Sequence, residues 1–276
     1  MKSTRPIPVG IFDSGVGGLS VLRAIRELMP AQSILYLADQ AHVPYGPRTL
    51  EEVRGFAEGI TRFLLDQGAG IIVVACNAAS AAALHYLRKI FPQVPFVGME
   101  PAVKPAAEQT RSGVVGVLAT PATFQGALYA SVVERFAKNV IILQNDCPGL
   151  VSEIEAGRME GSKTYHILST ALKPMLAKGI DTVVLGCTHY PFVIPIIEEI
   201  VGPEVRVIDP APAIARQTQR LLQNNGWNVE GRGEIRCFTS GSAQILTDLE
   251  QKLLGYTCPV EKVEWVSGLL QPTTHP

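Results

Sequence analysis

The sequence predicts an α/β fold with two pseudo-symmetric, doubly wound lobes whose sheets are mostly parallel. Short apolar runs alternate with helical patterns along the chain, and the first part of this pattern recurs in the second. The apolar runs are continuous, as is typical of parallel strands that are buried on both faces. Regular alternation of strand and helix favours a doubly wound arrangement, in which ligands bind at the carboxyl ends of the strands.

Eight apolar runs are the predicted strands, and helical patterns lie between them. The runs are PVGIFDSG, SILYLAD, GIIVVACN, PFVGME, GVVGVLAT, NVIILQND, TVVLGCTH and VRVIDP. Apolar positions at three- and four-residue spacing predict helices over residues 19–29, 50–67, 80–91, 124–138, 163–178 and 192–201. Beyond residue 210 we expect a helix over 214–224, a strand at GEIRCFTSG and a helix over 243–254.

An internal echo indicates an approximate duplication. PVGIFDSG resembles VVGVLATP, and IIVVACN resembles TVVLGCT. The separation between the two matched segments is also similar in the two halves. The positions paired by this echo are Asp13 with Ala119, Ser14 with Thr120, and Cys76 with Cys187.

Two proline-rich segments, MEPAVKP and IDPAPA, are typical of turns and are the expected crossovers between lobes. We therefore place boundaries near residues 100 and 210. The first lobe comprises residues 1–99 and 211–276, and the second comprises residues 100–210. We expect the active site in the cleft between them.

Charge and composition favour a small-molecule substrate. The 24 Lys and Arg residues nearly balance the 25 Asp and Glu residues, so no net positive field would attract nucleic acid or an anionic membrane. The first residues contain no apolar signal-peptide core, and the longest apolar run is far shorter than the roughly 20 residues of a spanning helix. We expect no nucleic acid, no membrane and a cytoplasmic location.

The five cysteines are widely spaced and form no CxxC pair, so we expect free thiols rather than a disulfide framework or a zinc ribbon. Cys147, Cys237 and Cys258 have no matched sequence context, and we expect them to be structural. The pair formed by Cys187 and His189 is compatible with metal binding, but structural zinc needs four convergent ligands. No such cluster is visible along the chain, so no metal is expected.

Cys76 and Cys187 are the best candidates for chemistry. Each ends a predicted buried strand, and each is followed by a polar residue, Asn77 or Thr188, at the start of an expected turn. Backbone N–H groups at a following helix start would lower a thiol pKa and would also bind a carboxylate. A buried cysteine is more often a small apolar residue, but the matched pair favours two opposed acid/base thiols.

The polar residues near these thiols each have a structural alternative. Asp13 and Ser14 lie in FDSGVGG, whose spacing is neither GxGxxG nor a Walker motif, so Asp13 suits an ammonium group or a nearby thiol, or simply caps a helix. Pro44, Tyr45 and Gly46 form a predicted tight loop, which can contribute to a binding site or be a turn with no other role. His189 can relay a proton for Cys187 or be structural. Glu155, judged from its own segment LVSEIEAG, is typical of a carboxylate on the exposed face of a helix.

Four segments, FDSGVGGLSV, ADQAHVPYG, VVACNAAS and VLGCTHYP, resemble the signature segments of the glutamate racemase family, in the same order and with fitting spacing. The likeness covers residues 9 to about 210. The wider aspartate, glutamate and hydantoin racemase superfamily shares the two-cysteine plan, whereas HVPYG and GCTHYP resemble the glutamate branch.

The resemblance implies a role for particular residues of this chain. Cys76 and Cys187 would be the two bases, assisted by Asp13 and His189, with Glu155 as a further assisting carboxylate. Where the family usually has threonine after Asn77, this chain has Ala78, which keeps the backbone N–H but loses a hydroxyl contact. The substrate-binding positions implied are Asp13, Ser14, Pro44, Tyr45, Gly46, Asn77, Ala78, Thr120, Thr123, Thr188 and His189.

The resemblance implies cofactor-independent interconversion of L- and D-glutamate, which supplies D-glutamate for peptidoglycan in a bacterial cytoplasm. No pyridoxal-type lysine motif is evident, and a homodimer is possible. Two other functions stay open. One is racemisation of a related substrate such as aspartate or a hydantoin. The other is a ligand-binding or regulatory protein that kept the cleft and lost activity, for which Ala78 is the motivating feature.

Overall fold

The computed structural model describes residues 7–227 and 233–273. Contacts between Cα atoms divide the chain into two compact units, Met1–Met99 with Ala211–Pro276 and Glu100–Pro210. These ranges coincide with the lobes expected from the sequence. Within the described ranges, no helix combines the length and apolar character needed to cross a membrane.

Strands and helices alternate through most of the described chain. The strands are β1 Val9–Asp13, β2 Ile34–Ala38, β3 Ile71–Val74, β4 Phe96–Gly98, β5 Val114–Ala119, β6 Ile141–Asn145, β7 Thr182–Gly186, β8 Arg206–Ile208, β9 Ile235–Thr239, β10 Val260–Val266 and β11 Leu269–Pro272. The helices are α1 Leu19–Leu28, α2 Leu50–Asp66, α3 Asn77–Ile90, α4 Val103–Gln109, α5 Pro121–Gln125, α6 Ala127–Phe136, α7 Leu150–Glu155, α8 Ser162–Leu176, α9 Ile194–Val201, α10 Ala211–Asn224 and α11 Ala243–Leu254, with a 3₁₀ helix over Tyr190–Val193.

The first unit is built on one sheet with the strand order β11-β10-β9-β2-β1-β3-β4. All neighbouring strands are parallel except β10 and β11, which pair antiparallel. Every residue of β1, β2 and β3 is buried, because helices cover both faces of a doubly wound sheet. This explains why these strands are continuous apolar runs in the sequence.

The second unit is built on a parallel sheet with the order β6-β5-β7-β8. This is the order β2-β1-β3-β4 of the first unit, with β5 in the place of β1 and β7 in the place of β3. The registers agree as well, since Phe12 lies opposite Val74 and Leu118 lies opposite Leu185. The α/β class with mostly parallel sheets is therefore confirmed, and the echo in the sequence corresponds to a repeated strand order.

Several predicted elements differ from the observed ones. NVIILQND was predicted to be buried on both faces, but β6 is an edge strand and Ile141 is 61% exposed. MEPAVKP was expected to be a turn, but α4 begins within it at Val103. The helix predicted over 124–138 is divided at Gly126 into α5 and α6. The sequence patterns also missed the hairpin of β10 and β11, whose strands are mostly exposed and lack continuous apolar runs.

Candidate functional site

Cys76 and Cys187 follow equivalent strands in their units. Cys76 comes two residues after β3, and Cys187 comes directly after β7. Each of these strands lies beside the first strand of its sheet, which ends at Asp13 in the first unit and at Ala119 in the second. Within each sheet, the chain leaves the first strand in one direction and leaves the neighbouring strand, which the thiol follows, in the opposite direction. Doubly wound proteins bind ligands in the crevice at such a point.

Cys76 is the N-cap residue of α3, and the residue is 5% exposed. The backbone N–H of Ala79 donates a hydrogen bond to Cys76 Sγ at 3.5 Å. Because the start of a helix carries partial positive charge, this position favours a thiolate. The apolar spacing in the sequence predicts a helix from residue 80, but α3 begins immediately after the thiol, at Asn77.

A hydroxyl and a carboxylate stand behind Cys76. Cys76 Sγ is 3.9 Å from Ser14 Oγ, and Ser14 Oγ donates to Asp13 Oδ1 at 3.5 Å. Asp13 is fully buried and also accepts the backbone N–H of Gly15 at 2.8 Å. A Cβ at Gly18 would lie 2.7 Å from Asp13 Cβ, so a bare α-carbon is required where α1 starts against this carboxylate. The result is a connected series of thiol, hydroxyl and carboxylate.

Asn77 presents an unused amide beside Cys76. Its side chain is 4% exposed, and within residues 7–227 and 233–273 neither Asn77 Oδ1 nor Asn77 Nδ2 has a hydrogen-bond partner. A buried amide without partners is destabilising by about 1–3 kcal/mol, so it is expected where a ligand supplies the missing bonds. Ala78 follows it in the first turn of α3 and is also buried.

The loop after β2 packs Tyr45 near Cys76. Tyr45 is 1% exposed and donates a hydrogen bond to Asp39 Oδ2 at 2.6 Å. Burial and the Asp39 carboxylate hold the pKa of Tyr45 well above its usual value, and Cys76 and Asp13 are further negative groups that raise it. Pro44 is exposed and Gly46 is half-buried.

Asp39 is a site residue that the sequence analysis missed. Besides Tyr45, its fully buried carboxylate receives hydrogen bonds from Ser240 Oγ at 2.7 Å and Trp265 Nε1 at 2.8 Å, and His42 Nδ1 lies 2.9 Å away. It therefore ties the Tyr45 loop to β9 and β10. Its place in the ADQAHVPYG segment was the available signal, but its partners at Ser240 and Trp265 are remote in sequence.

Cys187 has an imidazole and a carboxylate behind it. Cys187 Sγ is 3.7 Å from His189 Nδ1, and His189 Nε2 is 2.6 Å from Glu155 Oε1. The His189 side chain is 3% exposed and that of Glu155 is 13% exposed. Burial lowers the pKa of His189, but hydrogen bonds to Cys187 and Glu155 outweigh it and raise this pKa well above its usual value. Glu155, at the end of α7, is thus directed at His189.

A third thiol, Cys147, lies near Cys187 in the second unit. It is 2% exposed and has a backbone φ of 45°. Burial, together with the nearby Cys187 and Asp146, raises the pKa of Cys147 to about 12. Cys147 is therefore a neutral thiol at neutral pH.

The predicted threonines lie at strand ends of the second unit. Thr120 follows β5, and its Oγ1 is 3.2 Å from Thr123 Oγ1. Thr188, which stands between Cys187 and His189 in the sequence, is buried. The predicted residues thus assemble in two groups. Asp13, Ser14, Tyr45, Asn77 and Cys76 belong to the first unit, and Thr120, Thr123, Glu155, Cys187, Thr188 and His189 belong to the second.

The family model for Asp/Glu/hydantoin racemases matches residues 15–218. A curated relative from Pseudomonas paraeruginosa, a glutamate racemase, is 52% identical over 258 residues, which cover 93% of this chain and 97% of the relative. Similarity at this level over nearly the whole of both chains includes both thiol segments.

Solved structures give the same result. A glutamate racemase from Escherichia coli, in complex with L-glutamate and the activator UDP-MurNAc-Ala, superposes with a TM-score of 0.85 at 32% identity, covering 95% of this chain and 100% of that one. A glutamate racemase from Francisella tularensis, in complex with D-glutamate, superposes with a TM-score of 0.81 at 30% identity, covering 95% and 98% of the two chains.

Proposed function

The chain belongs to the Asp/Glu/hydantoin racemase family, and we propose that it interconverts L- and D-glutamate with Cys76 and Cys187 as the two acid/base groups. One observation carries the proposal of the two thiols. Each follows the equivalent strand of a repeated sheet, and each is backed by a carboxylate through an intervening polar group.

The chemistry requires two groups of this kind. The α-hydrogen of an amino acid is very weakly acidic, so its removal needs a close, oriented base and stabilisation of the carbanion that forms. Inversion also requires that a proton return to the opposite face of the same carbon. One sulfur therefore starts as a thiolate and the other as a thiol, and they exchange roles in the reverse direction. The two thiols supply both proton transfers, so the scheme uses no cofactor.

The groups behind the sulfurs would move and hold protons differently. On the side of Cys76, the Ala79 N–H stabilises a thiolate, and Ser14 links the sulfur to the Asp13 carboxylate. On the side of Cys187, His189 Nδ1 accepts the thiol proton when neutral and donates to the thiolate when protonated. Glu155 holds His189 through Nε2 and is a positioning residue for that imidazole.

The start of α3 provides groups that suit the charged ends of glutamate. Backbone N–H groups at a helix start bind carboxylates, and the unpartnered Asn77 amide offers both a donor and an acceptor. The buried Asp13 carboxylate suits an ammonium group. The substrate-binding roles of Ser14, Pro44, Tyr45, Gly46, Ala78, Thr120, Thr123, Thr188 and His189 belong to the same proposal.

Optical rotation and isotope exchange test the proposal directly. Circular dichroism of L- or D-glutamate should decay to zero with the purified protein and should persist with aspartate. In D₂O, proton NMR should show loss of the Cα–H signal of glutamate, and Cys76→Ala and Cys187→Ala should each abolish racemisation. Decay with aspartate but not glutamate would replace the substrate, and racemisation that survives both changes would remove the thiols from the mechanism.

A loss of catalysis is the competing possibility, since Ala78 stands where the family usually has threonine. Glutamate binding without exchange of the Cα–H in D₂O would favour a ligand-binding protein. The proposed cellular role is the supply of D-glutamate for peptidoglycan in the cytoplasm. A homodimer is the proposed assembly, which sedimentation velocity tests.

A further inference from the structure

Two cysteines and a glutamate converge in the first unit, away from the residues discussed above. Cys237 lies within β9, Glu250 lies on α11, and Cys258 lies between α11 and β10. One ligand atom from each of the three lies within 4.8 Å of the other two. Cys258 precedes β10, so it lies near the amino ends of the parallel strands, whereas Cys76 follows β3 and lies at their carboxyl ends.

The cluster is buried and contains unused oxygen atoms. Cys237 and Glu250 are both 0% exposed. Glu250 Oε2 accepts the backbone N–H of Cys258 at 2.9 Å, and the Cys237 thiol is a further hydrogen-bond partner of the Glu250 carboxyl group. Glu250 Oε1 has no N–H or O–H donor within the described ranges. The buried hydroxyl of Tyr256 also has no hydrogen-bond partner there. A buried carboxylate oxygen without a donor is strongly unfavourable unless a proton or a cation compensates it.

We propose that Cys237, Glu250 and Cys258 bind a thiophilic divalent cation, with zinc(II) as the ion of best fit. Thiolates select zinc over hard cations such as magnesium, and a carboxylate is an accepted third zinc ligand. Around a tetrahedral zinc, bond lengths of about 2.0–2.3 Å place ligand atoms about 3.5–3.8 Å apart. The observed separations of at most 4.8 Å are about 1 Å longer than that spacing, so each side chain would have to move by only a fraction of a bond length.

The surroundings suit the charge and the coordination number. Both thiols release their protons on coordination, so the two thiolates and the carboxylate bring three negative charges against the two positive charges of zinc. Arg26 lines the adjoining cavity of about 310 Å³, as do Tyr256 and Cys258, so a cationic side chain stands beside the excess negative charge. Because Cys258 and Tyr256 both line this cavity, a water molecule there would complete the coordination and hydrogen-bond to the Tyr256 hydroxyl.

The site would join three consecutive elements of the first unit. Cys237 anchors β9, Glu250 anchors α11, and Cys258 anchors the start of β10. Along the chain these donors are not clustered, which is why no metal is expected from sequence alone. The pairing of Val260 with Cys237 across β9 and β10 brings the segment that contains Cys258 beside β9.

Metal binding by the full chain tests the proposal without relying on turnover. Under a thiol-free reductant, the protein should bind one equivalent of Zn²⁺ in equilibrium dialysis. Co²⁺ as a spectroscopic probe should give thiolate charge-transfer and tetrahedral visible bands. The double variant Cys76→Ser/Cys187→Ser should retain this binding, and Cys237→Ser/Cys258→Ser should lose it by more than 100-fold. The opposite pattern, or no stoichiometric binding by the wild-type chain, overturns the proposal.

Two further measurements cover the case in which the double variant does not fold. Glu250→Gln keeps both thiols and the side-chain volume, and it should weaken Zn²⁺ binding at least tenfold. In the wild-type chain, Zn²⁺ should slow alkylation of Cys258, read by peptide mass spectrometry, and leave the labelling of Cys147 unchanged. Equal labelling of Cys258 with and without Zn²⁺ contradicts the site. None of these outcomes depends on whether the chain racemises glutamate.

Discussion

The surroundings of Cys76 and Cys187 differ although their strands are equivalent. Cys76 caps a regular helix and accepts a backbone N–H, with Ser14 and Asp13 behind it. Cys187 is followed by a 3₁₀ helix, and its recorded side-chain partner is the imidazole of His189, held by Glu155. The repeated strand order fixes where a thiol stands, while the loop that follows decides what acts on it.

This difference has a chemical consequence. The serine hydroxyl behind Cys76 does not titrate in the working pH range, whereas the imidazole behind Cys187 is a titratable group whose pKa is held well above its usual value. The two thiols are thus similar in position and different in how their protonation responds to pH.

The largest effect is expected from replacing either sulfur. Cys76→Ser and Cys187→Ser should each lower kcat/KM for glutamate about 10²–10⁴-fold or more, because serine is a far weaker acid and its oxyanion a scarce base at neutral pH. Polarimetry measures the rate. Cys147→Ser is the matched control, since that buried thiol has a pKa of about 12 and is no base, and it should change turnover less than tenfold. Near-normal turnover in either test variant would falsify the two-base scheme.

The next effect compares the groups behind the sulfurs. His189→Asn and Asp13→Asn should each lower kcat/KM about 10²-fold. In a plot of kcat/KM against pH, the wild type and Asp13→Asn should both show a change at a pH above 6.5, because the pKa of His189 is raised. This limb of the profile should be absent from His189→Asn. The equilibrium constant between enantiomers is unity, so kcat/KM must be equal in both directions, which serves as an internal check. A limb that persists in His189→Asn would assign it to another group.

A smaller effect concerns stability and pH. Glu155 raises the pKa of His189, so its stabilising effect is full below pH 6.5, while Glu155 remains ionised, and is lost as pH rises through the folded pKa. Glu155→Gln should therefore lower the free energy of unfolding by about 1.5–3 kcal/mol near pH 6 and by less at high pH. Urea unfolding measures this difference. Glu160→Gln, an exposed carboxylate, should show no such trend, and a gap that widens with pH would reverse the argument.

The smallest effect is expected at Ala78. Ala78→Thr adds a hydroxyl in the first turn of α3, where one hydrogen bond contributes about 0.5–1.5 kcal/mol. The KM for glutamate should fall severalfold with kcat little changed, as steady-state kinetics would show. Ala78→Val has a side chain of similar shape without the hydroxyl and should not lower KM. Equal effects of threonine and valine would attribute the change to packing alone.

The sequence predicts the central strands and most helices because burial on both faces leaves a continuous apolar run, as in β1 and β3. It predicts edge elements poorly. The partly exposed β6 was taken to be buried, and the β10–β11 hairpin was missed. The family resemblance singled out Glu155, but its contact with His189 joins residues on different elements and is visible only in the structure. Asp39 was missed because its partners at Ser240 and Trp265 come from the far end of the chain.

The sequence by itself determined the α/β class, the repeated plan and the equivalent placement of Cys76 and Cys187. These follow from local patterns of apolar residues, which burial imposes along each strand. The tertiary structure decided which polar groups contact each thiol, left the Asn77 amide without partners, and brought Cys237, Glu250 and Cys258 together. Such contacts depend on side chains from separate elements that only the folded chain brings within a few ångströms, so no local pattern encodes them.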